Sequence, residues 1–232
     1  FHDLSKIENL YFTIDFEFNS KIIALMQMNF ETSFNKRLIF ILYPPLLKGR
    51  CKSRLVKKIL GNKNILKILH GSDSLDIPYL INELIYKKKY QYKFINSFVD
   101  TRYFCEFYNN QNKLDRRCKI YSVLFDMNII TKNKLNYLYQ NEKNMGPIYN
   151  IKINIFNLDK YLVYYTLYDV LFLKYLYQSY PLNSDYYSLL IPEFTRLIFL
   201  ERNNLTTIIK EITETVDQIK NNFIYYNNKQ VK

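Results

Sequence analysis

The chain is poor in the residues that build disulfide scaffolds and thiolate metal sites. Its 232 residues include three cysteines, Cys51, Cys105 and Cys118. An odd number without close pairing argues against both a disulfide framework and a zinc ribbon, and predicts reduced thiols. Histidine is scarcer still, at two. No uncharged apolar run approaches the ~20 residues that a membrane helix needs, and the start carries no signal-peptide pattern. These absences predict a soluble, intracellular protein, cytoplasmic or nuclear, without a membrane partner. The first residue is Phe1 rather than Met, as expected of a piece of something longer.

Positive charge and aromatic rings are abundant. The formal net charge is +12, and aromatics make up 17% of the chain, with 23 Tyr and 17 Phe. A basic surface attracts polyanions and rings offer stacking platforms, so nucleic acid is the expected partner. The same excess of Tyr, Phe, Asn, Lys and Ile matches the residue drift of an A+T-rich genome, in a large DNA virus or a eukaryote. The specific signal must therefore come from motifs.

The length suits one sizeable domain, or one domain with an appendage. Residues 11–18, Tyr-Phe-Thr-Ile-Asp-Phe-Glu-Phe, predict a first strand. Asn19-Ser20 predicts a tight turn into a second strand over 21–30, and a third over 37–43 stops at Pro44-Pro45. Helical periodicity over 53–60 feeds a short strand at 65–69. An amphipathic helix is expected over 74–88, a strand over 94–99 and a helix over 102–108. Beyond Arg116 the pattern is helical, at 116–130, 131–143, 158–180, 185–202 and 204–226. Strand, helix and strand in alternation imply parallel connections after the opening meander.

Acids stand where a buried strand has no use for charge. Side chains alternate along a strand, so Asp15 and Glu17 share one face while Ile14, Phe16 and Phe18 turn to a core. Two carboxylates so close repel unless a cation lies between them, and a divalent metal is the simplest one. An edge strand with one wet face is the bland alternative. Asp76 falls in the first turn of the helix after His70-Gly-Ser-Asp-Ser-Leu, where the helix dipole favours a carboxylate. Asp73 is placed as the cap of that helix. Asp169 lies in an apolar helix with Tyr165 one turn before it on the same face. Asp100 and Asp159 are expected to cap or terminate elements, and His70 to be a satisfied strand-end histidine.

Taken in order, Asp-Phe-Glu, His-Gly-Ser-Asp-Ser-Leu-Asp-x-x-x-Leu, Phe-Val-Asp-Thr and Tyr-x-x-x-Asp resemble the exonuclease motifs of the DEDD superfamily. The Tyr-containing branch of ribonuclease D and the Werner exonuclease is most similar. The resemblance spans roughly residues 10–178 and implies a ribonuclease-H-like α/β fold: a mixed sheet, antiparallel meander plus parallel strands, flanked by helices. It implies an exonuclease domain over 1–181, followed by a C-terminal helical extension over 182–232. By position, Asp15 and Glu17 match the first motif, Asp76 the second, and Tyr165 and Asp169 the third. The segment 131–156 matches poorly, and 182–232 does not resemble the helical domain that often follows in ribonuclease D.

The implied activity is metal-dependent 3′-to-5′ hydrolysis of phosphodiester bonds at single-stranded 3′ ends of DNA or RNA. Four carboxylates without a His or Cys cluster favour two hard ions, Mg²⁺ or Mn²⁺. Asp15 is expected to bridge them, Glu17 and Asp169 to complete one site, Asp76 to act largely through the second ion's water shell, and Tyr165 to orient or help deprotonate the attacking water. Phe16 and Tyr79 are candidate wedges against the terminal base, and basic stretches at 48–58, 87–89 and 116–119, with Lys93, are candidate backbone contacts. A catalytically silent nucleic-acid-binding or scaffolding protein on the same fold is the alternative; a helical interaction module would make the acids incidental.

Overall fold

The computed structural model describes residues 3–7, 10–32 and 36–205. Five strands form one mixed sheet: β1 (Tyr11–Asn19), β2 (Ile22–Glu31), β3 (Arg37–Leu42), β4 (Leu66–Leu69) and β5 (Phe98–Asp100), in the order β3-β2-β1-β4-β5. The meander is antiparallel, and β4 and β5 join β1 in parallel. Ser20 and Lys21, both at positive φ (48° and 73°), close the β1–β2 hairpin as the tight turn expected there.

Helices cover both faces, as crossovers between parallel strands require. They are α1 (Gly49–Leu55), α2 (Asp76–Tyr79), α3 (Lys88–Ile95), α4 (Thr101–Gln111), α5 (Ile120–Asp126), α6 (Lys132–Met145), α7 (Lys160–Leu171), α8 (Leu173–Ser179) and α9 (Ile191–Arg202). Wider π-type turns at Val56–Leu60 and Leu80–Leu84 extend α1 and α2, and another at Tyr186–Leu190 leads into α9. One sheet face buries Phe12, Ile14, Phe16, Met26, Met28 and Phe30 under α1, α2, α3 and α9, with Phe199 of α9 fully enclosed there. The other packs Ile68 and Val99 against α4, α5, α6 and α8. The expected helix over 204–226 lies outside the described residues beyond Leu205.

Five expectations are corrected. Residues 88–95 are helix, and the strand shrinks to Phe98–Asp100. Gln91, Phe94 and Ile95 bury one helical face, and Gln91 Nε2 donates to the Ile81 and Ile85 carbonyls (2.8 and 2.7 Å) that the preceding helix leaves open. That arrangement also ends the expected 74–88 helix at Leu84. The 158–180 helix breaks at Phe172. The Val170 carbonyl, which an unbroken helix would give to the amide four residues on, accepts Thr13 Oγ1 at 2.7 Å and Asn29 Nδ2 at 3.4 Å. Asp73 caps nothing: it pairs with Arg102 and Arg202 (3.5 and 3.1 Å), while Leu75 precedes α2 without a side-chain cap.

The fifth correction concerns the thiols. Cys105 of α4 and Cys118 form a disulfide, and Cys51 is free and exposed. The bond closes a loop carrying Arg116 and Arg117 back onto α4. Asn109 reinforces it by donating to the Arg116 carbonyl at 3.1 Å. For a loop of this length, reduction is expected to cost about 3 kcal/mol of stability. Urea unfolding with and without dithiothreitol, on the wild type and on Cys118→Ser, measures this. Equal midpoints would refute it.

Candidate metal centre

The site lies where β1 passes beneath α7. Asp15 and Glu17 project from the polar sheet face, with Gln27 of β2 directly opposite Asp15. Asp169 comes down from α7. One oxygen from each of Asp15, Glu17 and Asp169 can be chosen so that all lie within 4.8 Å of one another. Asp76 stands outside this trio but within electrostatic reach of Asp15 and Glu17. Tyr165, one turn before Asp169, hydrogen-bonds its carboxylate. The five residues singled out in the sequence thus gather at one place: three acids in mutual contact, the tyrosine on one of them, and Asp76 at the margin.

The proton affinities record the crowding. Burial pushes Asp15 up to about 7, against a lowering hydrogen bond from its neighbour's backbone at Phe16. Burial and then the charges of Asp15, Asp169 and Asp76 raise Glu17 well above the usual carboxylate range. Asp169 is raised by burial and by Asp15, and Asp76 by burial, Asp15, Asp100 and Asp73. Tyr165 is pushed far up, first by the charge of Asp169. None of the ion pairs among the described residues involves any of these four acids. A cluster of half-buried to buried carboxyl groups with no basic partner and an all-oxygen donor set fits a hard divalent cation.

Neighbouring polar groups hold the acids in place, and several were not singled out from the sequence. Gln27, wholly enclosed, donates Nε2 to Glu17 Oε1 at 3.0 Å, while its own Oε1 is buried without a partner. Thr13 and Asn29, on the same face, fasten the Val170 carbonyl next to Asp169. Tyr121 of α5 donates its hydroxyl to Asp169 Oδ1 at 3.1 Å. The available signal for the first three was polarity at alternate positions of two otherwise apolar strands; Tyr121 had none.

Asp100 fulfils its capping expectation more widely than foreseen. Its enclosed carboxylate accepts the Arg102 amide at the start of α4 (2.9 Å), the Gly71 and Ser72 amides (2.9 and 2.8 Å) and the Ser72 hydroxyl (2.7 Å). It therefore pins the β4–α2 loop that presents Asp76. Gly71 turns there at φ +70°, a conformation that favours glycine. Asp159 caps α7 through the Tyr161 amide (2.7 Å). His70 is satisfied on both nitrogens, by Thr101 Oγ1 and the Cys118 carbonyl, each at 2.9 Å. Phe16 is no wedge. It is 4% exposed, with its ring in the core against Tyr79 at 5.5 Å, and Tyr79 also packs on Phe18.

Asp15, Glu17 and Asp169 line a cavity of about 190 Å³. His70 and Ile120 line both it and a larger groove of about 900 Å³ that carries Arg102, Arg116, Arg117 and Lys119.

Brucella melitensis NrnC, solved with bound Mg²⁺, superposes on 90% of this chain and 93% of its own with a TM-score of 0.55 at 12% sequence identity. The fold is ribonuclease-H-like. The ribonuclease-H-like expectation of a meander followed by parallel strands is met element by element in the sheet. The Aedes aegypti Nibbler EXO domain aligns over 85% of this chain and 88% of that domain, with a TM-score of 0.46 and 13% identity. In sequence, the uncharacterized protein L533 of Acanthamoeba polyphaga mimivirus is 34% identical over 241 aligned positions, which cover 94% of this chain. The chain spans about half (47%) of that relative's length. No protein-family model matches the chain. No helix among the described residues is long and apolar enough to cross a membrane.

Proposed function

We propose that the protein is a metal-dependent 3′-to-5′ exonuclease of the tyrosine-containing DEDD type, related to ribonuclease D and the Werner exonuclease. The observation that carries this reading is the trio Asp15, Glu17 and Asp169, one buried and two half-buried, gathered without a basic partner. The bound Mg²⁺ of NrnC, on the same fold, supports it. The mimivirus relative is in keeping with the expected viral source. The catalytic domain is taken to end near residue 181.

Two divalent ions, Mg²⁺ or Mn²⁺, would supply a nucleophilic water and stabilise the leaving 3′ oxygen. Asp15 would serve both ions, Glu17 and Asp169 would help to hold one, and Asp76 would act through water on the other. Tyr165 would orient the attacking water through its hydroxyl, and Gln27 would hold Glu17 in place through its Nε2 bond. The basic groove beside the cavity, of about 900 Å³, carries Arg and Lys side chains that suit phosphate contacts without sequence preference.

The test is a 5′-labelled single strand incubated with the protein and Mg²⁺ or Mn²⁺. A ladder that shortens from the 3′ end is the expected result, lost on chelation. Binding without shortening identifies a silent binder instead, and shortening unaffected by Asp169→Asn places the chemistry elsewhere. Parallel DNA and RNA oligomers identify the substrate.

A further inference from the structure

We propose that Tyr121 is a positioning residue for Asp169, holding one carboxylate oxygen so that the other faces the ion. This rests on the functional reading above, in which Asp169 is an ion ligand. Tyr121 lies on α5, outside every motif that carries the acids, and its side chain is enclosed at 3% exposure. A phenol so deeply buried is costly unless its hydroxyl finds a partner, and Asp169 Oδ1 at 3.1 Å is that partner. A phenylalanine would fill the same apolar cluster against Leu124 and Leu173. The hydroxyl therefore has one evident use, on the carboxylate.

The contact is held from behind. α5 begins two residues after Cys118, which is bonded to Cys105 of α4 and whose carbonyl accepts from His70 Nε2 at 2.9 Å. The Tyr121 ring also meets Tyr139 edge-on at 6.3 Å. On the other side, the Thr13 and Asn29 bonds to Val170 fix the backbone next to Asp169. Asp169 is thus fixed at its backbone by the sheet and at its carboxylate by Tyr165 and Tyr121. Donors behind a ligating carboxylate set its orientation, and their loss typically weakens metal binding by about 10- to 100-fold.

Tyr121→Phe keeps the ring and removes the bond. Calorimetric titration with Mn²⁺ is expected to show affinity at least about 10-fold weaker than wild type. Strand shortening should fall at low Mn²⁺ and recover as Mn²⁺ is raised, while the ion-free urea midpoint stays near that of wild type. A merely structural tyrosine would lower the urea midpoint and leave Mn²⁺ affinity unchanged. Wild-type Mn²⁺ affinity in Tyr121→Phe, beside a wild type that binds the ion and shortens strands, overturns this inference alone. A wild type that does neither overturns the functional reading as well, and this inference with it.

Discussion

Asp15→Asn is expected to lower strand shortening by roughly 10³-fold or more, the several kcal/mol that a metal-supported step supplies, while making the ion-free protein more stable. The second effect follows from the acids themselves. Burial lifts Asp15 to about 7 from an ordinary value of 3.8. A carboxyl whose proton affinity rises on folding binds more protons folded than unfolded, so stability falls as pH climbs from about 4 to about 7 and the full penalty stands above that. The shift corresponds to a penalty on the order of 4 kcal/mol at pH 8, as an upper bound. Asparagine has nearly the same shape and no charge, so it removes the repulsion with Glu17 and Asp169. Urea unfolding at pH 5 and pH 8 in EDTA should show a wild type that loses stability between the two and a variant that is flatter and higher at pH 8. Added Mg²⁺ should raise the wild-type melting temperature by mass action and leave the variant nearly unmoved. A variant less stable than wild type at pH 8 in EDTA would mean that Asp15 is compensated by a neighbour and is no ion ligand.

The sequence discloses most readily what is encoded locally. The period-2 alternation of 11–18, interrupted by Asp15 and Glu17, marks both the central strand and its functional face. Asn19-Ser20 and Pro44-Pro45 bound the meander because a hairpin turn and a ladder stop are properties of a few adjacent residues. Asp100 before a helix reads as a cap, although its further bonds to Gly71 and Ser72 depend on a strand thirty residues away. The misses all have tertiary causes. Phe94 and Ile95 are apolar neighbours that suit a short strand or a helix equally, and only the burial of Gln91 against the end of the preceding helix decides. The break at Phe172 is imposed by Thr13 and Asn29, which nothing near 172 announces. Cys105 and Cys118 carry no spacing signal, because α4 and the returning loop bring them together. Tyr121 is one of 23 tyrosines, and only its 3.1 Å contact with Asp169 distinguishes it. Gln27 and Asn29 were visible as polar residues on one face of an apolar strand, but their meaning required the register that sets Gln27 opposite Asp15.

Lys174→Met is expected to destabilise the protein by about 3–5 kcal/mol, the usual cost of stranding one partner of a buried ion pair. Glu31, at the end of β2 on the same face as Gln27 and Asn29, is wholly enclosed. Its carboxylate accepts Lys174 Nζ at 3.1 Å, Arg37 Nε at 2.8 Å and the Tyr175 hydroxyl at 2.5 Å. Burial alone would raise its proton affinity, but hydrogen bonds from Arg37, Tyr175 and Lys174 outweigh it and leave the group below its ordinary value. A carboxylate lowered on folding stabilises the fold above its unfolded pKa and loses that contribution as pH falls through the folded one. Lys174 also donates to the Thr32 carbonyl (3.1 Å), so one ammonium ties α8 to the end of β2. Removing it leaves Glu31 short of a donor in the interior, whereas Arg37, about a third exposed, can turn to water. Replacing both partners, as Glu31→Leu with Lys174→Met, should recover much of the loss, since a buried pair exchanged for apolar side chains is often neutral. The double-mutant cycle in urea measures this coupling directly. Because α8 continues directly from the helix that carries Asp169, the single variant should also weaken Mn²⁺ binding in its folded fraction. A single variant within 1 kcal/mol of wild type would show that Arg37 and Tyr175 alone suffice to hold Glu31 ionised.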